Sequence, residues 1–438
     1  MTTTIITNGT LIDPANKIEA ARDLLIEDGV VRAIEKPGGL HGLEATRIDA
    51  RGLIVTPGLI DMHVHLREPG YEYKETVLTG TQSAVAGGFT SVACMANTNP
   101  INDSGSVTRY ILERARAANL ARVFPVGALS KGLKGEELAA IGEMLDAGAI
   151  AISDDGRPVM DANLMRRALE YCSMFNVPIS VHEEDLQLAA DGVMNEGPTS
   201  LRLGLRGIPN AAEDVMVARD IALARLTGGR VHVAHLSTRG AVALVRQAKA
   251  EGLPITAEAT PHHFSLTEEA VEGYNTNAKM APPLRLADDV HAVKEGLRDG
   301  TIDAIATDHA PHHRDEKEVE FDQAANGIVG LETALPLTLT LVESGVLTLA
   351  EAIRKLTVNP ARIFGLPYGT LSVGAVADVT IFDPTGSWKV TPMTLRSKSK
   401  NTPFGQWELK GRVVVTMVEG RIVYDTRRTE DRGPKTED

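Results

Sequence analysis

The sequence predicts an α/β fold: a (β/α)8 TIM-like barrel with a small β-sandwich domain built from both termini. Three observations support this prediction. Between about residues 57 and 366, short apolar runs alternate with helical patterns, which indicates βα units and a parallel sheet. Both ends of the chain instead consist of short strand-like runs separated by turns. The chain has 438 residues, of which 43% are hydrophobic, so it can bury a large core.

The barrel is predicted from eight candidate strands and the helices between them. This number of units fits a fold that typically takes ~250 residues, and more with insertions. A doubly wound open sheet is the structural alternative, but no Gly-x-Gly-x-x-Gly turn supports a nucleotide-binding version of it. The candidate strands are residues 59–65, 91–96, 123–128, 149–153, 178–182, 231–236, 255–259 and 302–307. The helical stretches include residues 75–86, 162–175, 239–250 and 289–297.

The two ends of the chain are predicted to pair into the small β domain. The strand candidates there are residues 4–7, 377–382 and 411–415. The turn candidates are Asn8-Gly9, Asp28-Gly29 and Glu419-Gly420, of which the Asn-Gly and Asp-Gly pairs tolerate a positive φ. The expected domains are residues 1–56 and 368–438 for the two parts of the β domain and residues 57–367 for the barrel, with a charged tail at 427–438.

Charge and composition narrow the possible function classes. The formal net charge is −13 and the sequence has no basic stripe, which argues against a nucleic-acid partner. Neither a signal peptide nor a membrane-spanning apolar run is evident, so we expect no membrane partner and a cytoplasmic location. The two cysteines, Cys94 and Cys172, do not amount to a disulfide framework and fit a reducing compartment.

Polar residues that can bind metal stand at the C-terminal ends of the predicted strands. In a barrel these ends converge on one face, where active sites form. His63 and His65 close the first strand and point the same way, because side chains alternate along a strand. The alternative is two exposed histidines on a half-polar strand. The flanking residues are apolar, however, and a buried histidine without a partner would be costly.

Further candidates follow strands four, five, six and eight: Asp154-Asp155, His182, His235 and Asp308. Each has an ordinary alternative on its own, namely a turn or helix cap for the aspartates and a structural role for the histidines. Together, four histidines and two aspartates on five strand ends form a ligand set. Carboxylate and imidazole ligands without thiolate favour zinc over manganese or cobalt, and two ions bridged by an aspartate are expected.

Two longer motifs resemble a known family. They are Asp61-x-His63-x-His65-Leu66-Arg67-Glu68-Pro69-Gly70 and Ala306-Thr307-Asp308-His309-Ala310-Pro311-His312-x-x-x-x-Lys317. Both are similar to the signatures of the dihydroorotase family in the amidohydrolase superfamily, and the resemblance covers nearly the whole chain. Related hydantoinases and allantoinases bridge their metals with a carboxylated lysine after strand four, where this chain has Ser153-Asp154-Asp155. The bacterial class I dihydroorotases use aspartate in that place, and the spacing to His182 favours Asp155.

The resemblance implies a zinc-dependent, reversible cyclisation of N-carbamoyl-L-aspartate to (S)-dihydroorotate and water, a step of de novo pyrimidine biosynthesis. It implies two zinc ions per subunit and a proton-transferring role for Asp308. The implied ligands are His63, His65, Asp155 and Asp308 for the first ion, and Asp155, His182 and His235 for the second. The implied substrate contacts are His65, Arg67, Asn97, His312, Asn326 and Gly327.

Two other functions stay open. The chain could hydrolyse another cyclic amide, as a hydantoinase, dihydropyrimidinase or allantoinase, although Arg67 argues against neutral rings because they offer no carboxylate. It could also be a non-catalytic dihydroorotase-like partner of aspartate transcarbamoylase, although it keeps the full ligand set. The resemblance further implies a homodimer and is compatible with a catalytic complex with the transcarbamoylase.

One position departs from the family pattern. Ala281 stands where class I members commonly have an asparagine that contacts the substrate, so a water, Asn277 or a backbone group is expected to replace that contact. The loop after Asp155 and the polar stretch at residues 313–323 are candidates for closing over the substrate. Ordinary mobile loops are the equal alternative for both segments.

Overall fold

The computed structural model describes residues 2–429, so the predicted charged tail lies outside the described residues from position 430 onward. The described chain forms two large sheets and one two-stranded sheet. The strands are β1 (Thr3–Asp13), β2 (Ile18–Glu27), β3 (Val30–Glu35), β4 (Thr46–Asp49), β5 (Ile54–Pro57), β6 (Leu59–Val64), β7 (Phe89–Cys94), β8 (Arg122–Ala128), β9 (Ala151–Ser153), β10 (Ile179–Val181), β11 (Met194–Asn195), β12 (Gly207–Ile208), β13 (Val231–Val233), β14 (Ile255–Ala259), β15 (Ala304–Ile305), β16 (Val379–Lys389), β17 (Glu408–Val418) and β18 (Arg421–Asp425).

The helices lie mostly between the strands of the barrel. Within residues 2–429, no helix combines the length and the apolar character that crossing a membrane requires. The α-helices are α1 (Val77–Ala86), α2 (Gly105–Ala118), α3 (Ile141–Ala147), α4 (Ala162–Ser173), α5 (Leu186–Ala189), α6 (Pro198–Leu203), α7 (Ala211–Thr227), α8 (Arg239–Ala250), α9 (Pro261–Ser265), α10 (Ala287–Asp299), α11 (Arg314–Lys317), α12 (Ala334–Glu343), α13 (Leu349–Leu356), α14 (Val358–Phe364) and α15 (Thr426–Thr429). Short 3-10 helices are Lys131–Leu133, Glu268–Tyr274, Thr276–Ala278 and Pro392–Thr394.

Eight parallel strands form the barrel in chain order, from β6 through β7, β8, β9, β10, β13 and β14 to β15. The predicted (β/α)8 barrel is confirmed, and each predicted strand overlaps one of these elements. The ends of the sheet meet at the C-terminal face, where His65 N–H donates to the His309 carbonyl at 2.8 Å. Close by, Thr307 donates to the buried Asp61 carboxylate from both its backbone N–H and its hydroxyl, at 3.1 and 2.6 Å.

Local sequence explains how the helices cover this barrel. In α8, Thr238 caps the first turn, because its hydroxyl accepts the N–H of Ala241 at 3.1 Å. The apolar residues Val242 and Val245 are three positions apart and both are fully buried, so they form one face of an amphipathic helix. The strands beneath read as continuous apolar runs, since a parallel barrel is buried on both faces.

The two termini form the second large sheet, in the order β18-β17-β16-β5-β1-β2-β3 with β4 beside β1. The sheet folds over an apolar core of its own that includes Ile6, Leu24, Val55 and Val415. The strands predicted at the two ends of the chain therefore pair as expected, and β5 joins the halves through antiparallel pairing with β16.

Two of the three predicted turns are confirmed. Asp28-Gly29 and Glu419-Gly420 connect neighbouring strands, and all four residues have positive φ angles of 47° to 78°. The Asn8-Gly9 prediction is wrong, because both residues lie inside β1. Asn8 does have a positive φ of 64°, but this conformation forms a bulge at which the register with β2 shifts.

The terminal sheet packs closely against the barrel at Gly411. This residue of β17 has a φ of 94°, and a Cβ placed on it would overlap Cδ1 of Leu339 in α12. We predict that Gly411→Ala lowers stability by about 1 kcal/mol beyond the cost of its backbone conformation, because the buried Leu339 side chain must leave its preferred rotamer to make room. The shift of the thermal unfolding midpoint measures this effect.

Gly374→Ala is the matched control, because Gly374 has a φ of 91° and a Cβ placed on it would meet no atom within 4 Å. It carries the same backbone strain without the overlap. Equal shifts for the two variants would contradict close packing at Gly411.

Candidate active site

The C-terminal ends of the barrel strands bring all six predicted metal ligands together. Each side chain stands at the end of its strand or just after it, and each residue is at most 5% exposed. The strands concerned are the first, fourth, fifth, sixth and eighth of the barrel. The six residues are His63, His65, Asp155, His182, His235 and Asp308.

Two histidines and two aspartates form the first part of the cluster. His63 Nε2 lies 3.3 Å from Asp155 Oδ1 and 3.5 Å from Asp308 Oδ1. His65 Nε2 lies 2.9 Å from Asp308 Oδ1 and 3.6 Å from Asp155 Oδ2. The potential ligand atoms of His63, His65 and Asp308 all lie within 4.8 Å of one another, a spacing that one metal ion can fill.

The second part of the cluster shares Asp155. His182 Nδ1 and His235 Nε2 are 2.9 Å apart, and they lie 3.7 and 3.6 Å from Asp155 Oδ1. The Asp155 carboxylate thus lies between the two parts of the cluster, with Oδ1 close to His63, His182 and His235 and Oδ2 close to His65. This arrangement suits a carboxylate that bridges two cations.

The electrostatics of the cluster fit a cation. Burial disfavours a charged His63, but Asp308 and Asp155 outweigh it and raise the pKa of His63 well above its ordinary value. Burial would raise the pKa values of Asp155 and Asp308, but the surrounding histidines hold both below the ordinary range. His63 Nε2 is buried and makes no hydrogen bond to any residue between 2 and 429. Two ionised carboxylates beside a buried imidazole nitrogen that makes no hydrogen bond form a set of donors that fits a divalent metal.

The neighbouring Asp154 has a different role from Asp155. Its Oδ1 accepts the backbone N–H of His182 at 2.9 Å, and its Oδ2 accepts the N–H of Val159 at 2.8 Å. One oxygen therefore holds the loop that follows Asp155, and the other holds the backbone at the C-terminal end of β10. The structure accordingly places Asp155, and not Asp154, among the histidines.

A cavity of about 240 Å³ opens over the cluster. Asp155, His182 and Asp308 line it, so the metal-ligand candidates face the space that a small molecule would occupy. Five of the six predicted substrate residues line the same cavity: His65, Arg67, Asn97, His312 and Asn326.

Arg67 brings a cation into this cavity, and its orientation is fixed by two contacts. Its Nε donates to the Pro311 carbonyl at 3.1 Å, and its Nη2 lies 3.2 Å from His312 Nε2. Burial lowers the pKa of His312 to about 4, although its Glu316 partner acts in the opposite direction. His312 is therefore neutral at pH 7, and it can donate from Nδ1 to Glu316 while Nε2 accepts from Arg67.

The predicted loop contacts divide between the cavity and the protein interior. Asn326 faces the cavity, whereas Gly327 has both backbone groups engaged inside the protein: its N–H donates to the Lys279 carbonyl at 3.0 Å and its carbonyl accepts from Asn401. Ala281 also lines the cavity. Asn326 and Asn97 thus both bring an asparagine to the cavity in which position 281 lacks one.

Two carboxylates near the cluster were not anticipated from the sequence. Glu258, in β14, accepts from His63 Nδ1 at 2.8 Å and lies 3.1 Å from His232 Nε2. Glu184 lines the cavity, with Oε2 3.8 Å from His182 Nε2. The position of Glu184 two residues after a strand-end histidine was a usable signal. For Glu258 the only signal in the sequence was a charged residue within an otherwise apolar strand.

Comparison with known proteins finds relatives over nearly the whole chain. Residues 54–423 match the sequence profile of the Amidohydrolase family. A dihydroorotase of Syntrophotalea carbinolica is 57% identical over 96% of this chain and 98% of its own length. A dihydroorotase of Citrifermentans bemidjiense is 58% identical over 96% of this chain and 99% of its own. The solved structure of the L-hydantoinase (dihydropyrimidinase) from Arthrobacter aurescens matches with a TM-score of 0.86 at 28% identity, covering 97% of this chain and 96% of that one.

The contact between Glu258 and His63 generates a testable prediction. A carboxylate on Nδ1 fixes the tautomer in which Nε2 carries the lone pair, and loss of such a partner typically costs ~10–100-fold in metal affinity. We expect Glu258→Ala to bind divalent metal more weakly by about that factor, measured by competition with a chromogenic chelator.

Glu268→Ala is the control, because Glu268 is about equally buried but accepts hydrogen bonds from Asn195 and Thr199, which do not adjoin the cluster residues. It is expected to lose stability without losing metal affinity. Equal affinities for Glu258→Ala and the unaltered protein would contradict the role of Glu258.

Proposed function

This chain belongs to the amidohydrolase family, and from that premise we propose that it is a zinc-dependent dihydroorotase. It interconverts N-carbamoyl-L-aspartate and (S)-dihydroorotate plus water, a step of de novo pyrimidine biosynthesis. The observation that carries the proposal is one cavity in which Arg67 faces the same space as the His/Asp cluster. A small molecule that carries both a ring amide and a carboxylate fits this cavity, because the amide can face the His/Asp cluster while the carboxylate faces Arg67.

The metal part of the proposal rests on the donor set. His63, His65 and Asp308 would hold one zinc ion, His182 and His235 the other, and Asp155 would contact both. When bound, the two ions would lower the pKa of a water molecule from 15.7 to roughly 7 and polarise the scissile carbonyl.

Asp308 is the proposed proton carrier. Its pKa lies below the ordinary carboxyl range, so at pH 7 it is ionised and can accept a proton. In the ring-opening direction, water oxygen adds to the ring-amide carbon, the C–N bond breaks, and the proton passes through the Asp308 carboxylate to the departing nitrogen. Ring closure reverses each of these changes.

The remaining cavity residues orient the substrate. Arg67 binds the carboxylate of dihydroorotate, because a planar guanidinium can form two parallel hydrogen bonds to it. The contacts with Pro311 and His312 hold the guanidinium in one place before the substrate arrives. The Asn326 side chain, which lines the cavity together with Ala281, takes over the hydrogen bond that Ala281 cannot make.

The competing function is hydrolysis of a neutral cyclic amide. The similarity in fold to the L-hydantoinase favours it, but that relative is 28% identical, whereas the dihydroorotases are 57–58% identical. A neutral ring would also offer no carboxylate to the buried Arg67 guanidinium, so this side chain would add no charge-assisted hydrogen bond to its binding.

Purified protein is expected to contain zinc and to open dihydroorotate, with far slower turnover of hydantoin, dihydrouracil and allantoin. Elemental analysis and a substrate panel measure this directly. Removal of metal by a chelator should abolish the activity, and added zinc should restore it. Faster turnover of a neutral ring would support the competing function, and protein without metal or activity would favour a non-catalytic partner of aspartate transcarbamoylase.

Asp308→Ala is expected to lower kcat by roughly 10²–10⁴-fold, the usual contribution of a general acid–base group, while part of the metal is retained. Asp303→Asn is the control, since Asp303 precedes β15 and pairs with Lys249 at 2.7 Å instead of facing the cluster. Steady-state rates with zinc analysis of both variants measure the effect. Turnover by Asp308→Ala at the rate of the unaltered protein would exclude the proton-transfer role.

Assembly forms a separate part of the proposal. The family resemblance predicts a homodimer and is compatible with a complex with aspartate transcarbamoylase. Analytical ultracentrifugation of the chain alone, and then mixed with a transcarbamoylase, distinguishes these states.

A further inference from the structure

A side chain from beyond the barrel reaches the substrate cavity indirectly. Asn401 follows the barrel helices and precedes β17, and it is 4% exposed. Its Oδ1 accepts the backbone N–H of His312 at 3.0 Å. Its Nδ2 donates to the carbonyls of Ala310 at 3.0 Å and Gly327 at 2.9 Å. One amide thus connects the segment that carries His312 with the segment that carries Asn326.

A buried lysine holds the same two segments from another direction. Lys317 ends α11 and is 3% exposed. Its Nζ donates to the carbonyls of Ala325 at 2.7 Å, Gly327 at 3.2 Å and Lys279 at 3.4 Å. Burial lowers the pKa of Lys317 to about 7, whereas donation to three carbonyls favours its protonated form. The side chain organises the backbone, because each lost contact would leave a buried carbonyl with one partner fewer.

The two side chains meet at the Gly327 carbonyl. Asn326, next to this carbonyl, lines the cavity, and so does His312, whose N–H Asn401 accepts. We propose that Lys317 and Asn401 form a clamp that positions Asn326 and His312 for substrate binding. They are positioning residues, since each acts on the cavity through the backbone it holds. The identity of the substrate rests on the proposed function, whereas the positioning of Asn326 and His312 does not depend on it.

The clamp would restrain the polar stretch after His312, which the sequence offered as a candidate for closing over the substrate. Lys317 anchors its middle, and Ala325 N–H donates to the Glu316 carbonyl at 2.9 Å. The segments that carry His312 and Asn326, when held in this way, contribute equally to binding of the substrate in the ground state and in the transition state. Loss of the clamp should therefore raise KM and leave kcat nearly unchanged.

The test compares Lys317→Met and Asn401→Asp with the unaltered protein. Asn401→Asp keeps the acceptor for His312 N–H but places an oxygen against the Gly327 and Ala310 carbonyls. We expect KM for dihydroorotate to rise roughly tenfold in each variant, with kcat within about threefold and unchanged zinc content. Lys317→Arg, which keeps the positive charge, should recover part of the KM.

Two control variants separate the clamp from general destabilisation. Lys355→Met removes another buried ammonium group, whose Nζ donates to the Ile302 carbonyl away from the cavity. Thr402→Val removes a buried hydroxyl next to Asn401 that accepts the Phe404 N–H. Both should keep the KM of the unaltered protein even if their melting temperatures fall.

Hydrogen exchange provides a readout that needs no substrate. The amide of Gly327 should exchange faster in both clamp variants than in the controls, and the amide of His312 should do so in Lys317→Met, since Asn401→Asp keeps an acceptor for the His312 N–H. An unaltered KM and unaltered exchange at these amides would overturn the clamp. If the unaltered protein fails to turn over dihydroorotate, the proposed function fails, and the exchange measurement still decides the clamp by itself.

Discussion

The structure depends on one electrostatic constraint: two buried carboxylates, Asp155 and Asp308, share a barrel mouth with four buried histidines. Ionised carboxylates that have lost their water need positive charge nearby, and here imidazole nitrogens lie within 2.9–3.7 Å of them. The same negative field that raises the pKa of His63 would retain a divalent cation. The parallel barrel brings these carboxylates and histidines together, because the carboxyl ends of all its strands lie on one face.

A layer of residues behind the cluster keeps these groups in place. Glu258 holds His63 through Nδ1, so that Nε2 points towards the carboxylates. Asp154 binds two backbone N–H groups, one of them from His182, and so orders the loop that carries Asp155. Adjacent aspartates in the sequence thus perform different tasks, one structural and one directed at the cation site.

The sequence predicted what depends on local pattern and missed what depends on distant partners. Barrel strands were recognisable because burial on both faces produces continuous apolar runs, and the strand-end histidines stood out against them. Glu258 could not be assigned, since its partner His63 lies 195 residues away. Asn401 gave no signal either, because it lies in an irregular segment and contacts His312 across 89 residues. The Asn8-Gly9 error has a related cause: a positive φ serves a bulge as well as a turn, and only the neighbouring strands decide between them.

Fold and chemistry are separable in this molecule. A hydantoinase shares the architecture with a TM-score of 0.86 although only 28% of residues are identical, so the barrel alone does not select a substrate. Selection must come from the few side chains at the strand ends. Arg67 brings a positive charge into the cavity, and its contacts with Pro311 and His312 keep the guanidinium directed there without a substrate. Under the proposed function such a cavity would favour an anionic ring, because the fold has already buried and oriented the cation before the ring binds.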